Sequence, residues 1–537
     1  MMPTPSISRL LTTVTLAGAG TLAVEMVAPR MLAPAFGTSQ PIWAAVIGMT
    51  LLYLAIGYHL GGRWADRYAA TDIDFMARLI LYAAIATALI APIAPPVISW
   101  ARVALQSVAV GGFLAALVIA LVLFATPVIL LAAVSPFANR VALLNTEPAQ
   151  IGQVLGRLSA FATMGSLAGT FATALWLVPQ FGSTQSLLII AAGLIILAVW
   201  VSRRWVRLGW LALVVVLLLW RMIAGPPSLA AGCVNCTVID TRESGNNVIQ
   251  VATREHPDFG NQTLLLLNEG MAVHSSFNQR YLTSGDSRDL LTGGGPWDYF
   301  GVAPYVVANR RPSDIKSMAM IGAAAGTGAA QFLATHGADA EVDAVEIDGE
   351  IVAVARQYFG MNDSAVAGGN PRYRVHVADG RTWLATTETR YDIIAIDAYH
   401  QPYIPFHLTT VEFFGEVRDR LNDKGVVVLN AGLGADGDIR LAQTLATTML
   451  EVFPSVFILE TASFGNWMLI GSSEYIADGA ANFAANYQQI EDPALRAVMA
   501  NASGFPFLVS DRGPVVLYDD HAPVERLVDE MIFGAVW

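Results

Sequence analysis

Cysteine is nearly absent from this chain: 537 residues carry two, Cys233 and Cys236. One Cys-x-x-Cys without a second ligand pair, among scattered histidines, excludes a metal cluster of familiar spacing. The pair leaves two readings open, a single disulfide in an oxidising compartment or two free thiols. Charge is scarce too, at 14% of residues against 54% hydrophobic, which excludes two ordinary soluble domains. Lysine is missing from the first 225 residues, whose 12 arginines and 5 acidic residues leave +7, while the remainder carries −19. That acidic half has no basic track for a phosphate backbone, so nucleic acid is excluded as a partner. A small-residue cleavage site is also lacking after the first apolar run. Glu25 and Pro29-Arg30 stand there instead, which excludes a removable signal peptide.

Long apolar runs are what the chain has in abundance. A membrane-spanning helix needs about 20 mostly apolar residues. Seven segments qualify, at 7–28, 42–62, 77–98, 112–134, 155–178, 186–201 and 206–223, and the longer run 103–138 leaves room for an eighth. The expected architecture is a transmembrane helical domain over 1–225, in contact with the lipid bilayer. A linker and small β region follow over 226–312, then an α/β domain over 313–537.

With seven spans, nine arginines (9, 63, 67, 78, 140, 157, 203, 204 and 207) fall on one side and Arg30, Arg102 and Arg221 on the other. The excess of positive charge belongs to the cytoplasm, which puts the C-terminal domain outside. The nucleotide argued below is made in the cytosol and points the other way. Glu25, near the end of the first span, is costly at depth. It either staples helices through Arg30 or lines a polar path for a cationic substrate. The turn Gly61-Gly62-Arg63-Trp64-Ala65-Asp66-Arg67 is of the short charged kind that transporters carry between spans. The small residues of Gly165-Ser166-Leu167-Ala168-Gly169 allow close helix packing.

Beyond the membrane half, 237–300 reads as β, with short strands at 248–251 and 263–267. An alternating series follows, with strands at 317–321, 341–345, 373–377, 391–396 and 425–429 and helices at 327–335, 349–358 and 410–421. Such alternation predicts a doubly wound, Rossmann-like parallel sheet with its ligand outside the carboxyl ends of the strands. The strand ends carry suitable residues. Gly322, Gly326 and Gly328 permit close backbone approach at a helix N-terminus. Glu346 suits ribose hydroxyls, Asp379-Gly380 an adenine amino group, and Asp397 the reacting end, with Asp348 a further cofactor-binding residue.

These motifs resemble the spermidine synthase-like aminopropyltransferases, in the fused branch that carries an N-terminal multi-span membrane domain. The resemblance rests on Ile321-Gly322-Ala323-Ala324-Ala325-Gly326-Thr327-Gly328, Val345-Glu346-Ile347-Asp348 and Asp379-Gly380-Arg381. It extends to Ile396-Asp397-Ala398-Tyr399, Ile404-Pro405-Phe406-His407-Leu408-Thr409-Thr410 and Asp519-Asp520-His521-Ala522-Pro523-Val524-Glu525. Upstream, Leu267-Asn268-Glu269-Gly270 with His274-Ser275 looks like the family's hairpin, and Glu25, Arg30, Phe36-Gly37 and the 61–67 turn look like the fused branch.

The resemblance implies S-adenosylmethionine or its decarboxylated form as co-substrate, an amine or polyamine as partner, and methylthioadenosine as leaving group. It implies no metal and is compatible with a homodimer. Asp397, Tyr399 and His400 are the expected catalytic residues, and His274, His407 and Glu25 further substrate contacts. Two departures stand out. The glycine turn has Ala325 where the soluble enzymes hold the donor's amino group with an aspartate. His400 replaces a second aspartate that acts on the acceptor amine, so the attacking amine could belong to the donor itself. A methyltransferase shares the strand order and Glu346 and is the alternative enzyme. A cation transporter with a nucleotide-sensing soluble half is the alternative outside enzymology.

Overall fold

The computed structural model describes residues 6–36, 40–68, 73–105, 111–144, 146–224, 233, 235–256, 260–268, 272–399, 403–432, 438–463, 465–503, 508–509, 512–513 and 515–533. Two compact units result, one of residues 1–228 with 243–245 and the other of 229–242 with 246–537.

The first unit is helical: α1 Ile7–Phe36, α2 Gln40–Arg67, α3 Ile73–Leu105, α4 Gly111–Ala132, α5 Val134–Leu143, α6 Ile151–Ala172, α7 Val178–Ser202 and α8 Leu211–Ala224. Among the described residues, five helical stretches are long and apolar enough to cross a membrane. The fifth, Pro148–Ser202, holds two of the expected spans end to end. They meet at Gly182, whose φ of +75° lies outside the helical region. The seventh expected span falls on a shorter apolar helix, Trp205–Trp220. Small residues do bring helices together. A Cβ added at Gly165 or Gly169 of α6 would strike the α1 backbone at Thr15 or Ala19. Glu25 hydrogen-bonds Thr50 of α2, and no ion pair joins it to Arg30.

The second unit opens with an antiparallel sheet in the order β1 Cys236–Glu243, β2 Val248–His256, β3 Gly260–Leu267 and β4 Val273–Asn278. Cys233 and Cys236 form a disulfide. From Tyr281 to Phe300 the chain runs in short helical turns instead of the expected β, and a further turn follows at Ala303–Val306. Pro296 stands at the start of one turn and Pro304 near the start of another, where a missing N–H costs nothing.

The main sheet has eight strands. They are β5 Ser317–Ile321, β6 Glu341–Glu346, β7 Tyr373–Val377, β8 Tyr391–Ile396, β9 Leu421–Gly432, β10 Ser455–Glu460, β11 Asn466–Ser472 and β12 Leu508–Val509. Their order is β12-β10-β11-β9-β8-β5-β6-β7, and the run from β9 to β7 is parallel, as expected for five of them. β11, β10 and β12 join antiparallel and make the sheet mixed.

The central parallel strands β5, β8 and β9 are apolar on both faces. Met318, Met320, Ile393, Ala395, Val426 and Val428 pack on one side with the helices Thr327–Thr335 and Gly349–Tyr358. Their alternates Ala319, Ile321, Ile394, Ile396, Val427 and Leu429 pack on the other with Gly380–Thr386, Val411–Asp419 and Arg440–Met449. Period two therefore buries both alternating sets, residues 318–321, 393–396 and 426–429, at about 25 cal/mol per Å² of apolar surface removed from water.

One polar group inside β6 tests how such a sheet tolerates charge. Asp343 accepts from Arg374 Nε and Nη2 at 2.8 Å each, His376 Nε2 at 2.7 Å and Tyr391 Oη at 3.0 Å. Burial pushes this carboxyl up, but Arg374 and His376 outweigh it and hold it well below the usual range. A carboxyl depressed in the folded state stabilises above its unfolded pKa and loses that contribution as pH falls through the folded one. Asp343→Asn is expected to cost about 1–2 kcal/mol near pH 7, discounted because Arg374 and His376 are partly exposed. The deficit in melting temperature against the parent should narrow as pH falls below about 4, the unfolded-state value, and close only toward the lower pKa that the parent's aspartate has in the folded state.

Candidate active site

Glycine 322 marks where β5 hands over to the following helix. Its φ is +79°, and a Cβ there would lie 2.6 Å from the backbone of Ala398. Gly326, φ +85°, sits at the helix start against the Tyr373 hydroxyl. Both positions demand glycine. Gly328 serves a different end, close packing on Met320 and Phe300.

The end of β6 ties down this turn. Glu346 accepts from Ala324 N at 2.9 Å and Asp348 N at 3.1 Å. Burial raises its carboxyl to about 7 in spite of these amides. Asp348 caps the helix Gly349–Tyr358 by accepting from Glu350 N at 3.0 Å, and it also accepts from Asn247 Nδ2 at 2.8 Å. It is buried and does not line the cavity.

After β7, Asp379 caps the next helix through Thr382 N at 2.9 Å and meets His407 Nε2 at 3.2 Å. Burial pushes Asp379 up, but the Thr382 bonds and the His407 ring hold it below the usual carboxylate range. Arg381, two residues on, donates to Glu416, Asp519 and the carbonyl of His407. It thereby pins the Asp519-Asp520-His521 segment beside the loop that carries His407.

At the end of β8, Asp397 accepts from Asn430 Nδ2 at 2.8 Å, and Trp297 provides a second side-chain hydrogen bond. Enclosure by protein on every side but the cavity pushes this carboxyl up to about 7. The Tyr399 hydroxyl donates to the carbonyl of Asn430 at 2.9 Å and accepts from Gly432 N at 2.8 Å. The hydroxyl is thus committed to the backbone of β9. His400 lies outside the described residues, as does Glu269.

These strand ends open on one cavity of about 770 Å³. Gly322, Ala324, Glu346, Asp379, Gly380 and Asp397 line it, together with Tyr399, His274 and His407. Gly326, Gly328 and Asp348 do not. Glu25 belongs to the helical unit. Trp297, Asn430 and Asn466 line the cavity as well and were missed. Asn430 had a legible signal, since it ends the apolar run Val426–Leu429 as Glu346 and Asp397 end theirs. Among the described residues no group of three or more metal-ligating side chains exists.

Residues 308–472 match the spermine/spermidine synthase domain. The C-terminal part contains a spermidine synthase domain. Similar curated proteins include the "Probable polyamine aminopropyl transferase" of Bifidobacterium longum, 37% identical over 112 residues, or 21% of this chain and 23% of that one. The polyamine aminopropyltransferase of Clostridium beijerinckii is 27% identical over 189 residues, 34% of this chain and 65% of that one. This chain thus covers less than two thirds of either relative's length. Among solved structures, a "probable spermidine synthase" of Corynebacterium glutamicum aligns with a TM-score of 0.39 at 21% identity, over 53% of this chain and 96% of that one. The matched segment of the synthase domain runs from just before β5 to the end of β11. It therefore contains the glycine turn, Glu346, Asp379, Asp397, His407, Asn430 and Asn466.

Two substitutions separate a ligand-facing turn from a brace. Gly322→Ala places a methyl group against Ala398 and strains φ, so donor affinity measured by calorimetry should fall at least about tenfold. Tyr399→Phe removes two hydrogen bonds at the end of β9 and should lower stability by about 1–2 kcal/mol while leaving donor affinity within about twofold.

Proposed function

We propose that this protein is a membrane-bound transferase of the polyamine aminopropyltransferase type. It binds S-adenosylmethionine or its decarboxylated form in the cavity of the synthase domain. The observation that carries the reading is the convergence of Glu346, Asp379 and Asp397 with the glycine turn at the ends of adjacent parallel strands. The match to the synthase domain supports it. The five long apolar stretches support attachment to a bilayer.

The donor's adenosine lies on the turn, with ribose hydroxyls toward Glu346 and adenine toward Asp379. The sulfonium faces Asp397. An amine nitrogen, from a polyamine or from the donor itself, attacks the chain carbon beside sulfur. The new C–N bond forms as the C–S bond breaks, and its electron pair neutralises the sulfonium to the thioether of methylthioadenosine. The attacking nitrogen becomes an ammonium and passes its proton to Asp397. Alignment of nucleophile, carbon and sulfur supplies most of the acceleration, and proton removal a further factor of about 10² to 10⁴. Three acidic groups in one cavity also concentrate a cationic amine.

Purified full-length protein incubated with either donor, with and without diamines, should release methylthioadenosine detectable by mass spectrometry. S-adenosylhomocysteine as sole product would replace this reading with methyl transfer. Asp397→Asn should lower turnover at least about 100-fold. An aspartate raised to about 7 is neutral below that pH and ionised above it. Accordingly kcat/KM should climb about tenfold per pH unit below 7 and flatten above.

A further inference from the structure

Strand register brings Asp397 and Asn430 side by side. Ile396 pairs with Leu429, so the next residues leave β8 and β9 as neighbours. Asn466 enters from the antiparallel strand β11, opposite Gly432. A chain of side-chain amides results: Asn466 Nδ2 donates to Asn430 Oδ1 at 2.7 Å, and Asn430 Nδ2 donates to Asp397 Oδ1 at 2.8 Å. Asn430 is 5% exposed, and its backbone carbonyl is held by Tyr399.

We propose that Asn430 and Asn466 are positioning residues, in which Asn466 locks the amide of Asn430 so that its NH₂ group holds Asp397 as an ionised acceptor facing the cavity. The proposal rests on Asp397 being the proton acceptor described above. An ionised carboxylate only accepts hydrogen bonds, whereas an amide carries its acceptor and its donors on opposite sides. With Asn466 donating from behind, Asn430 must present its NH₂ to Asp397. Turning the amide over would set oxygen against carboxylate and NH₂ against NH₂. A protonated Asp397 would accept that flip, because its O–H can donate to the amide oxygen. The donor on β11 therefore biases the carboxyl two steps away toward its charged form, the one that can take a proton from an ammonium.

The other titratable groups facing the cavity are Glu346 from β6, Asp379 after β7, His407 after β8, His274 from β4 and Arg254 from β2, with Tyr399 beside Asp397. The side-chain hydrogen bonds of Asp397 come from Asn430 and Trp297. Its ionisation is thus set by burial opposed by neutral donors, and Asn430 is the donor that a neighbour orients.

The test reads Asp397 directly. Infrared difference spectra of the full-length protein across pH 5 to 9 contain a protonated-carboxyl band for Asp397, identified by its loss in Asp397→Asn. In Asn430→Leu that band should persist to higher pH by on the order of one unit, and in Asn466→Leu by a smaller step. Asn466→Ser, which keeps an O–H donor, should recover part of the shift. The acid limb of kcat/KM should move by the same amount, about a tenfold loss at pH 6, with the KM for the donor within about twofold. Should Asn430→Leu fail to fold, Asn466→Leu alone decides the matter. Titration at the parent's pH in a folded variant, with turnover merely lowered at every pH, overturns the proposal. Shifted spectra without methylthioadenosine in any sample would sink the assigned reaction and leave the relay standing.

Discussion

Burial of both faces of the parallel sheet is the constraint on which the rest depends. When residues 318–321, 393–396 and 426–429 are all apolar and all inside, a polar side chain has no place along the strand. It is driven to the strand end, where helices and loops part and a cavity forms. Alternation then decides which way it points. Glu346, Asp397 and Asn430 continue the parity of Ala344, Ala395 and Val428, so all three lean to the same side of the sheet. The site is a by-product of strands ending in register.

Electrostatics divides the carboxyl groups of this unit into two kinds. Asp343 and Asp379 have cationic or imidazole partners that hold them ionised. Glu346 and Asp397 accept from amides and an indole, and burial raises both carboxyls to about 7. A carboxyl kept at the edge of ionisation is costly until a cation arrives. In the proposed reaction a sulfonium or an ammonium would supply that cation.

Much of this was legible in the residue order. The glycine turn, Glu346 and Asp397 announce themselves because each ends a short apolar run with a residue that such a run rejects, and Asp379 follows the third strand of the alternating series. The three added strands were harder. β10 and β11 are joined without a helix, so they lack the strand–helix alternation that marks the parallel strands. Asp348 stands two residues after Glu346 and caps a helix, a common task for an aspartate in that position. Tyr399 follows Asp397, and its hydroxyl reaches back to β9, a contact no local pattern announces.

What the sequence determined alone was periodicity and sign: which stretches are apolar enough for a bilayer or a buried sheet, and which acidic residues stand at the breaks. Those properties are local, written in neighbours a few positions apart. Only the tertiary structure decided the company each acid keeps. Asn430 and Asn466 are remote from Asp397 along the chain and meet it through strand register, a relation that no short window of residues contains. Arg381 likewise reaches Asp519 across 138 positions. Hydrogen bonds act over about 3 Å in space whatever the separation in sequence, and the protonation of a buried carboxyl is set by those bonds.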